Sequence, residues 1–139
     1  MKKLFSPPTM LVLLIIAISV AHCSKKEAQK NIIIQAMTDG RWVVQQFTES
    51  TQDVSPEFTT YEFQFFDNGT VQGISGTNIT TGTWTANPDA RTITSVFPTG
   101  NDTLKRLNDT WKIFNNTFTL VEANPANTGR TAYLKLVKK

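Results

Sequence analysis

Histidine and cysteine are almost absent from this chain: each occurs once, as the neighbours His22 and Cys23. A lone thiol has no partner for an internal disulfide, and a secreted protein seldom keeps one free, because an unpaired cysteine is a reactive liability. Downstream of Cys23 there is no imidazole at all. That excludes Ser-His-Asp and Cys-His nucleophiles, and zinc sites built on imidazole or thiolate, from everything after it once the thiol is acylated. Also lacking is a run of about 20 apolar residues of the kind a spanning helix needs. The longest stretch, Met10 to Ala21, is broken by Ser19 and is too short. A surplus of one charge is missing as well: 14 Lys and Arg stand against 11 Asp and Glu, and Lys2 and Lys3 precede the apolar run. The chain beyond that run is near neutral and carries no basic stripe that could neutralise several phosphates, so no nucleic-acid partner is expected. Gly73, Gly76 and Gly82 lack the following lysine and helix of a phosphate loop.

What is present begins with a leader. Met1, Lys2 and Lys3, then Pro7, Pro8 and the short apolar run, read as an export signal over residues 1–22. The window Val20-Ala21-His22-Cys23 resembles a bacterial lipobox, with His22 standing where a small residue is usual. Cys23 is therefore the expected lipidation site, and the membrane the expected partner through that anchor. The other reading is an ordinary cleaved signal that leaves a free thiol. Ser24 lacks the aspartate that marks inner-membrane retention, which points to the outer membrane; the mixed charges of Lys25, Lys26 and Glu27 favour its periplasmic face. Lys25, Lys26 and Lys30 either attract anionic headgroups or simply solvate a tether.

Residues 23–35 read as tether and short helix, and 36–139 as one β domain. Glu27 to Met37 contains good helix formers with an apolar face at Ile33, Ala36 and Met37, and Gly40 comes next as a stop. Beyond it, strands alternate with turn chemistry. In YEFQFFDNGTVQG, Tyr61, Phe63 and Phe65 point one way, Glu62 and Gln64 the other, and Asp67-Asn68-Gly69 makes the hairpin. The expected strands are Arg41–Thr48, Thr59–Phe66, Thr70–Ser75, Asn78–Ala86, Arg91–Phe97, Asp109–Phe114, Thr117–Ala123 and Arg130–Val137. Eight strands in sequence, joined by short connections, predict an all-β fold: a small antiparallel up-and-down barrel whose closure removes exposed edges. Trp42, Val44, Tyr61, Phe63, Phe65, Val71, Trp84, Ile93, Trp111, Ile113, Phe118, Leu120, Leu134 and Leu136 are expected to point inward. They either line a ligand cavity or fill the core, because a barrel of this size holds one small ligand or none.

Each tryptophan opens a strand, in Gly40-Arg-Trp42, Gly82-Thr-Trp84 and Asp109-Thr-Trp111. Such a ring plugs a barrel end while its indole N–H reaches a backbone carbonyl. Gly-x-Trp after a short helix, the hairpin ending Phe66-Asp67-Asn68-Gly69-Thr70-Val71, Gly82-Thr83-Trp84, Leu107 with Trp111-Lys-Ile, and Leu134-Lys-Leu136 come in an order that resembles the small lipocalin-like lipoproteins of Bacteroidota. The resemblance covers about Ala36 to Lys139 and implies a calyx that holds a small apolar molecule, with no catalytic residues and no cofactor. A second lipocalin hallmark, a Thr-Asp-Tyr-like turn, is missing; for the arginine that stacks on Trp42, Arg130 is the candidate.

The remaining routes to chemistry are narrow. Paired carboxylates could hydrolyse glycosides, and Glu49, Glu62 and Glu122 are the strand acids, with Glu62 expected to face solvent. Asp67-Asn68-Gly69, or Asp102 with Asp109, supply hard ligands for calcium, but the first is explained as a turn and the second lacks loop spacing, so no metal is expected. Asp102-Thr103-Leu104 matches the short O-glycan pattern of Bacteroidota envelope proteins, which makes Thr103 a modification candidate. The expectation is thus a monomeric, non-enzymatic, lipid-anchored protein that holds a small hydrophobic ligand. The alternative is a filled barrel that binds a partner through the polar loops Ser50 to Glu57 and Phe97 to Leu107.

Overall fold

The computed structural model describes Ala28 and residues 32–139. The expected signal peptide, Cys23 and the start of the tether lie outside the described residues. Helix α1 spans residues 32–38, and Ala28 is helical as well. It stops where Gly40 takes a left-handed φ of +79°, a conformation that costs glycine nothing. Only Met37 of this helix is fully buried. No helix of the described residues is long and apolar enough to cross a membrane.

The strands are β1 (Trp42–Glu49), β2 (Gln52–Asp53), β3 (Tyr61–Phe65), β4 (Thr70–Ser75), β5 (Asn78–Asn87), β6 (Thr92–Val96), β7 (Asp109–Asn116), β8 (Leu120–Pro125) and β9 (Ala132–Lys138). Strands β3 to β9 neighbour each other in sequence order, and β1 pairs with both β3 and β9, from Trp42↔Lys138 to Glu49↔Ala132. The result is a closed antiparallel barrel of eight strands. The ninth, β2, only folds back on the end of β1, Thr48↔Asp53 and Glu49↔Gln52, and stays outside the wall. The thinnest seam is β1 to β3, joined at Trp42↔Phe63 alone.

Two bulges set the inward parity. In β1 the register slips between Val44 and Gln46, and in β7 between Ile113 and Asn115. An extra residue reverses the alternation of a strand. Trp42 and Phe47, which an unbroken period of two would place on opposite faces, are therefore both fully buried.

The two ends of the barrel differ. At one, α1 covers the start of β1, together with the turns after β3, β5 and β7. The other carries the long connections, in which two helical turns had no counterpart in the expected strand pattern: a 3₁₀ turn at Ser55–Phe58 and α2 at Asp102–Lys105. Pro56 suits the first turn of the former, and Asn101 caps the latter by accepting from the Leu104 amide at 3.0 Å. Val54, Phe58, Phe97, Leu104 and Leu107 are buried here and close the loop end with side chains. Phe58 lies 5.4 Å from Phe47 and 6.5 Å from Phe63, and Phe63 lies 6.2 Å from Phe97, in one cluster of tilted and edge-on rings.

Candidate functional site

Of the residues expected inside, Trp42, Phe63, Phe65, Val71, Trp84, Ile93, Trp111, Ile113, Leu134 and Leu136 are buried. Val44 and Tyr61 are partly buried and pack against that core, and Leu120 is partly exposed. Phe118 is a correction. It is 46% exposed, in the turn between β7 and β8, while Val121 and Ala123 take the inward positions of β8. The turn expected at Asn115-Asn116 would set Phe118 opposite Ile113, but β7 runs on through Asn116 and Ile113 pairs with Ala123, which moves the inward positions of β8 to the odd-numbered residues.

Each indole N–H donates to a backbone carbonyl: Trp42 to Met37 at 3.0 Å, Trp84 to Phe66 at 2.8 Å and Trp111 to Leu107 at 3.0 Å. The rings are thus satisfied wedges that pin turns and the helix to the wall. The stacking expected between Arg130 and Trp42 is also corrected. The Arg130 guanidinium lies over Trp111, and the cation above Trp42 is Lys138, at 5.3 Å. Arg130 enters β9 at the loop end and Trp42 opens β1 at the α1 end, so the two cannot meet.

The interior is nearly full. A cavity of about 40 Å³ remains on the barrel axis, walled by side chains that include Met37, Phe63, Val71, Trp111 and Leu136. By size it would take on the order of three waters, but its lining is almost wholly apolar, and such a cavity stays dry. A second space of about 50 Å³ sits under α1, between Ile33, Ala36, Arg91, Ile113 and Thr117, and Met37 borders both. Pockets for small ligands run from about 300 to 1,000 Å³. The one polar side chain lining the inner cavity, Ser95, already donates to the Leu107 carbonyl at 2.6 Å. Among the described residues no buried side-chain polar atom lacks a partner, so none waits to orient a guest.

Polar chemistry gathers instead at the loop end, where the two polar loops singled out in the sequence meet. Arg106 on the α2 side binds Glu57 of the 3₁₀ turn at 3.0 Å and also Glu49 of β1. Arg130 binds the same Glu49 and, at 2.9 Å, Asp109 of β7, and donates to the Arg106 carbonyl at 2.7 Å. Asn101 donates to the Tyr61 hydroxyl at 2.8 Å, and Thr103, half-buried on α2, reaches Glu57 at 3.4 Å. A chain of alternating charge therefore links β1, the 3₁₀ turn, α2, β7 and the start of β9 across one surface. Sequence spacing could not have found it, because Glu49 and Arg130 are 81 residues apart.

The strand carboxylates do not converge. Glu49 belongs to the loop-end chain of charges. Glu62 faces Arg41 at 2.8 Å and Lys139 on the outer wall, and hydrogen bonds from Arg41, then Lys139, hold its carboxyl below the usual glutamate range. Glu122 accepts from Tyr133 and Asn115, which lower it in the same order. Each anion is thus occupied by its own partners. A general acid needs a carboxyl raised toward neutrality, the opposite environment. Among the described residues no three His, Cys, Asp or Glu side chains gather where they could hold a metal ion.

No protein-family model matches the chain, and no curated protein matches it. Among solved structures it is similar to a DUF4847 family protein from Bacteroides vulgatus, with a TM-score of 0.58 and 15% identity over 77% of this chain and 97% of that one. At that identity the likeness shows the barrel fold and nothing of function.

Proposed function

We propose that the protein is a lipocalin-like, lipid-anchored barrel of the bacterial cell envelope that acts without catalysis, binding a partner macromolecule through its loop end. The observation that carries this reading is the filled interior: a cavity of about 40 Å³ leaves the surface as the place for recognition. The ordered charge chain from Glu57 to Asp109 supports it further, because a preorganised surface loses less entropy on binding than loose loops do. Lipidation at Cys23 and a seat on the periplasmic face of the outer membrane rest on the lipobox resemblance. Palmitate labelling, present in the wild type and lost in Cys23→Ser, tests the anchor.

Crosslinking in intact cells tests the partner. Neutral substitution of the exposed loop residues only, Gln52 and Glu57 in one variant and Asp102 and Lys105 in another, with the buried Val54, Phe97, Leu104 and Leu107 kept, should abolish one crosslinked species while leaving the barrel folded. Crosslinks unchanged by both replacements would refute the reading.

A second reading is favoured by one feature, the two small spaces that share Met37, Ile93, Ile113 and Val121 as their common wall. Displacing α1 would join them into an apolar shaft for a slender hydrophobic molecule. Native mass spectrometry of protein taken from its own host separates the two readings: a retained apolar molecule selects the shaft, and a bare chain mass selects the loop end.

A further inference from the structure

The α1 end carries an apolar rim that the fold does not explain. Ile32 on α1 is 59% exposed, Phe118 in the turn after β7 is 46% exposed, and Phe66 in the turn after β3 is at the exposed margin. All three stand at the end where the chain enters the barrel. Phe118 is also held in place, with the Lys138 ammonium 4.1 Å from its ring centroid. The other large exposed apolar residues, Ile79, Val96 and Phe114, sit on strands of the outer wall rather than at the tips of this end.

Chain length says what this rim meets. From Cys23 to residue 31 the chain can span at most about 30 Å when fully extended, so a lipid on Cys23 keeps the α1 end within that distance of the membrane. Most cations of the rim are engaged: Arg41 and Lys139 share Glu62, Lys138 binds Asp39 at 3.1 Å, and Arg91, which borders the same space as Ile32, donates to the Asn116 side chain at 3.5 Å. The exposed apolar side chains are therefore the larger part of the contact.

We infer that the α1 end rests on the lipid surface with Ile32 and Phe118 in contact with it, which turns the loop end and its charge chain away from the membrane. This rests on the lipid anchor proposed above. The contact is apolar in origin, so salt does not weaken it.

The lipidated full chain, placed in vesicles of phosphatidylethanolamine and phosphatidylglycerol, tests this with nitroxide labels on Phe118→Cys, Ile32→Cys and Ile79→Cys, the last near the loop end. Accessibility to oxygen, which partitions into lipid, is compared with that to a water-soluble nickel reagent. The expected oxygen-to-nickel ratio is several-fold higher at 118 and 32 than at 79, and is unchanged in 1 M salt (about a 3 Å screening length). Equal ratios at the three sites, a larger ratio at 79, or loss of the difference in salt would overturn the orientation. The parent chain separates this from failure of the anchor: lipidated Cys23 takes up no label and floats with vesicles, whereas an unlipidated chain labels at Cys23 and does not float.

Discussion

The Arg130 guanidinium carbon lies 5.2 Å from the centroid of the Trp111 ring and 6.0 Å from that of Phe47. One side chain thereby joins the aromatic core to Glu49 and Asp109 at the loop end. Replacing it should be costly in two ways. Arg130→Ala removes a cation over two rings and leaves two carboxylates short of a partner, with an expected loss of about 2 kcal/mol in urea unfolding. Arg130→Lys should recover only part of this, because an ammonium cannot span Glu49 and Asp109 as a planar fork does.

Gly82 and Gly73 both lie in strands but should respond differently to an added methyl group. At Gly82 a Cβ would meet the Val96 carbonyl oxygen at 2.4 Å and the Phe97 ring at 2.9 Å. Backbone cannot step aside, so Gly82→Ala should cost about 3 kcal/mol. At Gly73 the nearest atom is a terminal methyl of Leu104 at 2.9 Å, which can rotate. Gly73→Ala should cost about 1 kcal/mol, and thermal melts of the two variants give the order.

The inward face of β8 can be read from a pair of truncations. Phe118→Ala removes an exposed ring and its contact with Lys138, a change of at most about 1 kcal/mol. Val121→Ala removes a buried side chain from the cavity wall and should cost about 2 kcal/mol. The larger residue is the cheaper to lose, and equilibrium unfolding of both variants checks it.

Met37, from α1, lines both the axial cavity and the space under the helix, together with Ile93, Ile113 and Val121. Met37→Ala should destabilise by about 3 kcal/mol. The same variant should bind a small apolar fluorophore that the wild type rejects, read as a rise in emission on titration. Equal emission from the two proteins would mean that α1 settles into the vacated volume.

Two linked groups on the outer wall set opposite pH dependences. Burial, and then the hydrogen bond to Glu122, push Tyr133 up to about 12. A raised pKa means that its contribution is present below the ordinary tyrosine value of 10.0 and is lost as pH climbs toward 12. Glu122 is lowered, so its contribution is present above the ordinary glutamate range and is lost on acidification. The chain has two tyrosines. Absorbance titration should show one phenol ionising near 12, a step that vanishes in Tyr133→Phe.

Much of the wall could be read from local chemistry. Alternation in Tyr61-Glu62-Phe63-Gln64-Phe65 places its residues correctly, and Asp67-Asn68-Gly69 makes the turn, with Gly69 at a φ of +84°. Those features depend on neighbours in sequence. Phe47, Phe58, Leu104 and Val121 were illegible there for a different reason. Phe47 comes after a bulge, Val121 after a turn that lies beyond Asn115-Asn116, and Phe58 and Leu104 ride short helical turns in mostly polar loops. The charge chain from Glu57 to Asp109 was equally hidden, since its members come from five separate segments.

The all-β architecture, the strand order and the absence of imidazole after Cys23 are written in the amino-acid order, because period-two patterning, turn residues and composition are local properties. Which way β8 faces, which cation sits on which tryptophan, and whether the barrel is hollow became definite only in the folded chain. Parity passes through bulges that no residue type announces, and ion pairs join segments far apart in the chain. Free volume is the small difference between a wall's girth and the side chains inside it, so it emerges only when all of them are in place.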